Sequence, residues 1–377
     1  MDGIVSVNPE GVRKYPPGIE APGSGLAIRL PLLAAGMISL LAGLWAGIAR
    51  LGIPVPLPVD SWYAAHGPLM VCAFVGTLVC LERAVGLGRR WALLLPLLSA
   101  LSALCLLSGK APQAAAAFSC AAAAGLVSLF AYLYLRKAAL PVATLGVGAA
   151  CWLVGNFGWA LGWSVPEVLP WWISFLLLTI AGERLELNRF LPPGRGVQGS
   201  FIALAAAVPA ACALGPWNAA LAYRGLGAAA LGLSIWLLRN DVARRTVRQD
   251  GLTRFIALCL LAGFLWLGVF GALSLWLGSP VAGPRYDALA HSFFVGFAFS
   301  MIFGHAPIVF PAIVGREISF RRFSYIYLAL LHGGLMIRVV GDLLGRADLR
   351  QAGGLFNVAA ILLFALTTAA SLRGNAR

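Results

Sequence analysis

Apolar positions run along the chain in stretches of about 20 residues, separated by short segments rich in Gly, Pro or charge. Each stretch is long enough to cross a bilayer as a helix. Twelve spans are predicted, at roughly 25–49, 59–82, 91–108, 113–135, 139–162, 167–187, 198–215, 218–238, 253–278, 286–313, 323–343 and 352–372. In lipid each span must satisfy its own backbone hydrogen bonds, so the expected fold is all-α: a polytopic transmembrane helical bundle. It forms one membrane domain, 25–372, between an N-terminal tail, 1–24, and a C-terminal tail, 373–377. The first tail is polar and proline-rich and lacks a signal-peptide pattern, so it is expected to stay cytoplasmic.

Composition agrees with the pattern. The 377 residues are 60% hydrophobic and only 11% charged, which excludes an ordinary soluble domain. All seven cysteines fall in apolar runs without a CxxC spacing and are expected to be small buried hydrophobes. The net charge of +14 raises the question of nucleic acid. Its placement argues for orientation instead. With the N-terminus cytoplasmic, 21 of the 28 Lys and Arg fall on the inner side and 5 on the outer, with Arg224 and Arg338 inside spans. Both termini are then cytoplasmic, the partner is the lipid bilayer of a bacterial-type inner membrane, and no nucleic acid is expected. The largest basic loop, "RNDVARRTVRQDG" (239–251), is read as a topology determinant touching anionic lipid.

The chemistry lies with four histidines, His66, His291, His305 and His332, all within spans. Intramembrane histidines usually face a bundle interior or a cavity. The plain reading of any one of them is interhelical hydrogen-bond glue. Depth sorts them into an outer pair, His66 with His291, and an inner pair, His305 with His332. His305 lies ~21 Å below His291 at 1.5 Å per residue and only ~40° round the helix from it. One helix offering a high and a low imidazole could ligate two stacked cofactors, since a bis-imidazole haem takes one histidine from each of two helices. Gly67, Gly296, Gly304, Gly333 and Gly334 would leave room for a macrocycle or serve helix packing. Met70, Met301 and Met336 each lie four residues from a histidine, as soft packing, as contacts to haem, or as His/Met ligands for copper(I). Pro68, Pro307 and Pro311 mark breaks next to the same histidines, although the last two could simply end span 10.

Arg338 and Asp342, four apart, are expected to pair locally. The sharper reading has Arg338, Arg224 or Arg285 holding the propionates of an outer haem. Arg224 is otherwise a snorkelling side chain. Glu82-Arg83 and "GERLELNR" (182–189) read as helix-end ion pairs. Alternatively, Glu82 and Glu183 would form a proton uptake path or hard ligands near His305.

The twelve spans, with "DSWYAAHGPLMV" (60–71), "ALAHSFFVGFAFSMIFGH" (288–305) and "TIAGERLELNRF" (179–190), resemble the NnrS-type haem- and copper-associated membrane proteins. More distantly the chain is similar to the catalytic subunit of haem-copper oxidases, in which spans 2 and 10 hold a low-spin haem. That resemblance implies His66 and His291 as the matching ligands, and a link to relief of nitric-oxide stress. The oxidase copper site cannot be built here, because no histidine stands between His66 and His291. No oxygen reductase activity is expected.

The expectation is therefore an integral membrane protein binding one or two haem b groups, with copper as a further candidate cofactor. It would act in electron transfer or small-gas handling, as a haem-dependent oxidoreductase if it is an enzyme. An electron donor or quinone would be its redox partner. The alternatives are a copper(I) or small-solute transporter and a non-catalytic assembly factor. The orientation is tested by fusions truncated at the loops. Alkaline phosphatase joined after residue 250 should be inactive and after residue 281 active; the reverse pattern would invert the topology.

Overall fold

A computed structural model describes residues 25–187, 194–316 and 320–374, with side chains to 371, and a two-residue antiparallel ladder that pairs Ser6 with Lys14 and Val7 with Arg13. The rest of the 1–24 tail, Asn188 and Arg189, and the end of the C-terminal tail lie outside the described residues.

Twelve helices are long and apolar enough to cross a membrane: α1 (Leu26–Arg50), α2 (Trp62–Leu87), α3 (Arg90–Ser108), α4 (Pro112–Arg136), α5 (Leu140–Ala160), α6 (Val165–Leu187), α7 (Arg195–Ala213), α8 (Ala219–Asn240), α9 (Gly251–Leu277), α10 (Gly283–Val314), α11 (Ser324–Leu343) and α12 (Ala347–Ser371). This is the architecture of a multi-pass membrane protein. The predicted spans correspond one to one, and the two largest boundary differences have physical causes. Glu82 and Arg83 do not close α2, because Arg83 bonds sideways to Glu183. The helix runs on to Gly88, whose left-handed φ of 66° ends it. Helix α12 starts early, directly after the turn at Gly345, φ 68°. Helix α10 continues through Pro307 and Pro311 to Val314.

The spans are not equivalent. In α2, α6 and α10, 61%, 78% and 67% of the most apolar stretch is buried, against 56% or less in every other span. The central helices are therefore every fourth one, a spacing that the sequence carries in no visible repeat. Two of the three are irregular at matching places. The chain widens into π-helical turns at Leu69–Val75 in α2 and at Ser292–Phe299 in α10. Pro68, which has no N–H to donate, stands at the first of these. Such turns occur often at functional sites.

Packing between apolar helices in lipid relies on close approach and buried hydrogen bonds. Asn156 on α5 is a hub. Its Oδ1 accepts from Trp172 Nε1 on α6 at 3.0 Å and from Cys72 Sγ on α2 at 3.3 Å, and its Nδ2 donates to Ser119 O on α4 at 3.1 Å. Serines stitch other seams: Ser274 to Tyr223 O at 2.6 Å and Ser300 to Cys259 O at 2.7 Å. All seven cysteines are free and five are buried.

At the end of α6, Arg184 makes a bidentate pair with Asp241, Nε to Oδ2 and Nη2 to Oδ1 both at 2.8 Å. Both residues are 3% exposed. This links α6 to the turn after α8. Removing one partner of such a pair strands a buried charge and costs about 3–5 kcal/mol. Asp241→Ala should therefore lower the melting temperature in detergent far more than the paired apolar change Arg184→Met/Asp241→Leu. Equal melting of the single variant and the unaltered protein would exclude a structural role for the pair.

Candidate functional site

The first halves of α2, α6 and α10 line one cavity and their second halves line another, so these three helices run parallel. The end of α1, the end of α11 and the start of α12 border the first cavity. We call this the upper end. The upper cavity has a volume of about 580 Å³, and His66 and His291 both line it.

The two imidazoles face each other across the cavity, with ring centroids 6.3 Å apart and planes 28° apart. Each is oriented from behind. His66 Nδ1 lies 2.8 Å from Gly43 O on α1, and His291 Nδ1 lies 2.9 Å from Asp287 O and 3.2 Å from Asp287 Oδ1. A carbonyl only accepts, so each Nδ1 carries the proton and each Nε2 carries a lone pair. Arg338 agrees: its Nη2 donates to His291 Nε2 at 3.2 Å.

Arg338 does not pair with Asp342, one turn along its own helix. It forms a fork with Asp287 across the α10–α11 seam, Nε to Oδ2 at 2.7 Å and Nη2 to Oδ1 at 2.8 Å. Asp342 is buried, and its carboxyl oxygens make no hydrogen bond. The cross-helix partner wins because guanidinium and carboxylate meet there in bidentate geometry, which the i,i+4 register does not require.

The inner pair is not brought together by any described contact. His305 lines the lower cavity, about 100 Å³, between α2, α6 and α10. Its Nδ1 lies 2.8 Å from Met301 O and its buried Nε2 has no partner. Glu82 and Glu183 line the same cavity, both held by Arg83. His332 instead reaches Ser300 Oγ through Nε2 at 3.3 Å. No residue of α11 lines the His305 cavity.

The other candidate residues divide. Met70 lines the upper cavity and Met301 the lower, but Met336 is 62% exposed and turned away from the core. Arg224 is exposed on α8, and neither it nor Arg285 lines the upper cavity. The glycines serve mostly packing. A Cβ at Gly304 would lie 3.1 Å from Cys259 on α9, and one at Gly334 would lie 3.0 Å from Asn357 on α12. The glycine that lets a neighbour approach a histidine is Gly47 on α1, where a Cβ would lie 3.1 Å from His66 Cε1.

The upper cavity fits a bis-imidazole metal site. Two metal–nitrogen bonds of about 2 Å in line, plus roughly 1.1 Å from each nitrogen to its ring centre, separate the centroids by about 6 Å. The volume suits a ligand of haem size, and the walls are apolar where Val71, Leu169, Phe294 and Phe299 stand. Among the described residues, no group of three or more His, Cys, Asp or Glu side chains is placed to hold an ion.

Three contributors escaped sequence reasoning: Asp287, Arg50 and Arg350. Asp287 carries a signal, since it lies four residues before His291 and so on its face. The two arginines look like ordinary loop-proximal charges until α1, α11 and α12 close around the cavity.

No curated protein and no solved structure matches the chain. Residues 29–373 match the family described as a domain of unknown function, DUF8744, and the chain belongs to that family.

Proposed function

We propose that the protein binds haem b in the upper cavity, with His66 and His291 as axial ligands, and serves in electron transfer across part of the membrane. One observation carries the reading. Two imidazoles from two central helices line one shared cavity with ring centroids 6.3 Å apart, each tied at Nδ1, and a haem there would take His291 Nε2 in place of its contact from Arg338. Two of the three segments behind the NnrS-type resemblance, 60–71 and 288–305, supply these histidines.

When bound, haem iron supplies one-electron redox chemistry. The chain's own part is to orient and insulate. Gly43 O and Asp287 hold the ring orientations and fix the tautomer. Arg338 anchors Asp287. A haem held between His66 and His291 would keep no open place for a gas, which favours electron transfer over nitric-oxide handling. The bias of basic residues supports an inner-membrane orientation with the termini cytoplasmic, which sets the upper cavity toward the outer face. The copper(I) transporter reading has less support, since Met336 is 62% exposed and no described contact joins the inner histidines.

The test is a reduced-minus-oxidised visible spectrum of the detergent-purified protein, with haem and copper quantified on the same sample. Sharp low-spin b-type bands with one haem per chain are expected. His66→Ala and His291→Ala should each cut the low-spin signal by tenfold or more. A colourless protein from haem-replete cells, or low-spin bands unchanged in both variants, sinks the assignment. His305→Ala should leave the bands intact, because its imidazole belongs to the lower cavity. Loss of the bands in that variant alone would move the haem there.

A further inference from the structure

The charges around the upper cavity are unbalanced. Arg50, Arg338 and Arg350 line it, against Asp287 as the one lining carboxylate. Arg338 is committed to Asp287 and His291. The other two arginines have no such partner. Arg50, exposed at the end of α1, donates to Tyr63 O at 3.1 Å and lies over the Tyr63 ring at 5.1 Å. Arg350, half-buried in the first turn of α12, has a buried Nε with no hydrogen bond. Among the described residues neither makes an ion pair. A cationic group with an unsatisfied buried N–H at the edge of an apolar cavity is costly unless an anion completes it. Guanidinium groups take carboxylates in bidentate geometry.

We infer that Arg50 and Arg350 form a two-carboxylate clamp at the mouth of the upper cavity, so that the site selects a flat apolar ligand with two carboxylates on one edge. This rests on the haem reading of the same cavity and goes beyond it. Carboxylate binding falls to two arginines at the ends of α1 and α12, and not to Arg338, Arg224 or Arg285. The ligand's acidic edge then faces the α1–α2 and α11–α12 connections. Asn357, 2% exposed with a free Oδ1, lines the same cavity and is open to a donor from the ligand.

The experiment titrates the full-length protein in detergent with metal-free protoporphyrin IX and with its dimethyl ester, followed by quenching of tryptophan emission. Trp172 lines the cavity and supplies the signal. Neither probe needs iron ligation. The free acid should bind tenfold or more tightly than the ester. In Arg50→Gln/Arg350→Gln the preference should vanish while ester affinity stays unchanged, which also shows that the cavity has survived the substitutions. His66→Ala should keep the free-acid preference and lose only the extra affinity for iron porphyrin. Equal binding of acid and ester, or a preference untouched by the double variant, overturns the clamp while leaving the haem reading intact. Displacement of the free acid by phosphatidylglycerol at equal concentration reassigns the arginines to a lipid phosphate and also overturns it. If neither the porphyrins nor haem bind, the haem reading fails and the clamp fails with it.

Discussion

Three central helices that border the same two cavities, α2, α6 and α10, are the constraint on which the rest depends. They hold the largest buried shares of any spans, and both internal cavities are cut between them. Lipid gives no hydrophobic reward for bringing helices together, so this contact must come from fit and from buried hydrogen bonds. Asn156 shows how closely it is specified. One side chain satisfies groups on α2, α4 and α6. The nine other spans surround the three and face lipid over much of their surface, as Leu135, Leu104 and Phe157 do.

That packing also accounts for the placement of the polar chemistry. Because α2 and α10 run parallel, residues near their starts come together at one end and residues near their ends at the other. His66 meets His291 near one end, and Glu82 meets His305 near the other. The π-helical turns at Leu69–Val75 and Ser292–Phe299 lie between the two cavities. Each wide turn frees backbone groups that the surrounding protein must accommodate, which a packed three-helix centre can do and a lipid-facing wall cannot. The upper cavity is cationic at its mouth and the lower one carries two glutamates. The two ends of this core therefore differ in charge as well as in depth.

Buried charge divides the residues of the upper site into those that act and those that support. The Asp287–Arg338 fork brackets His291, with Asp287 at Nδ1 and Arg338 at Nε2. Arg184 with Asp241 plays the corresponding structural part elsewhere, holding α6 to the turn after α8. Asp342 is buried without a hydrogen bond beside the first of these pairs, and Arg350 is partly so.

The sequence by itself determined the number and approximate places of the spans, because bilayer thickness sets a minimum apolar length for every helix. It also determined the His66–His291 level, since depth follows from counting 1.5 Å per residue once direction is known. Only the tertiary structure decided which spans are central. Helix α6 is the most buried yet has a mean hydropathy of 1.5, whereas α9 reaches 2.4 with half of its stretch buried. In a bilayer, apolar side chains suit lipid and protein alike, so hydropathy does not report burial. For the same reason Met336 and Met70, each one turn from a histidine, could not be told apart until one faced outward and the other lined the cavity. The partner of Arg338 likewise depended on which helix came to lie opposite. A local register offers Asp342, but only the fold brings Asp287 into bidentate reach.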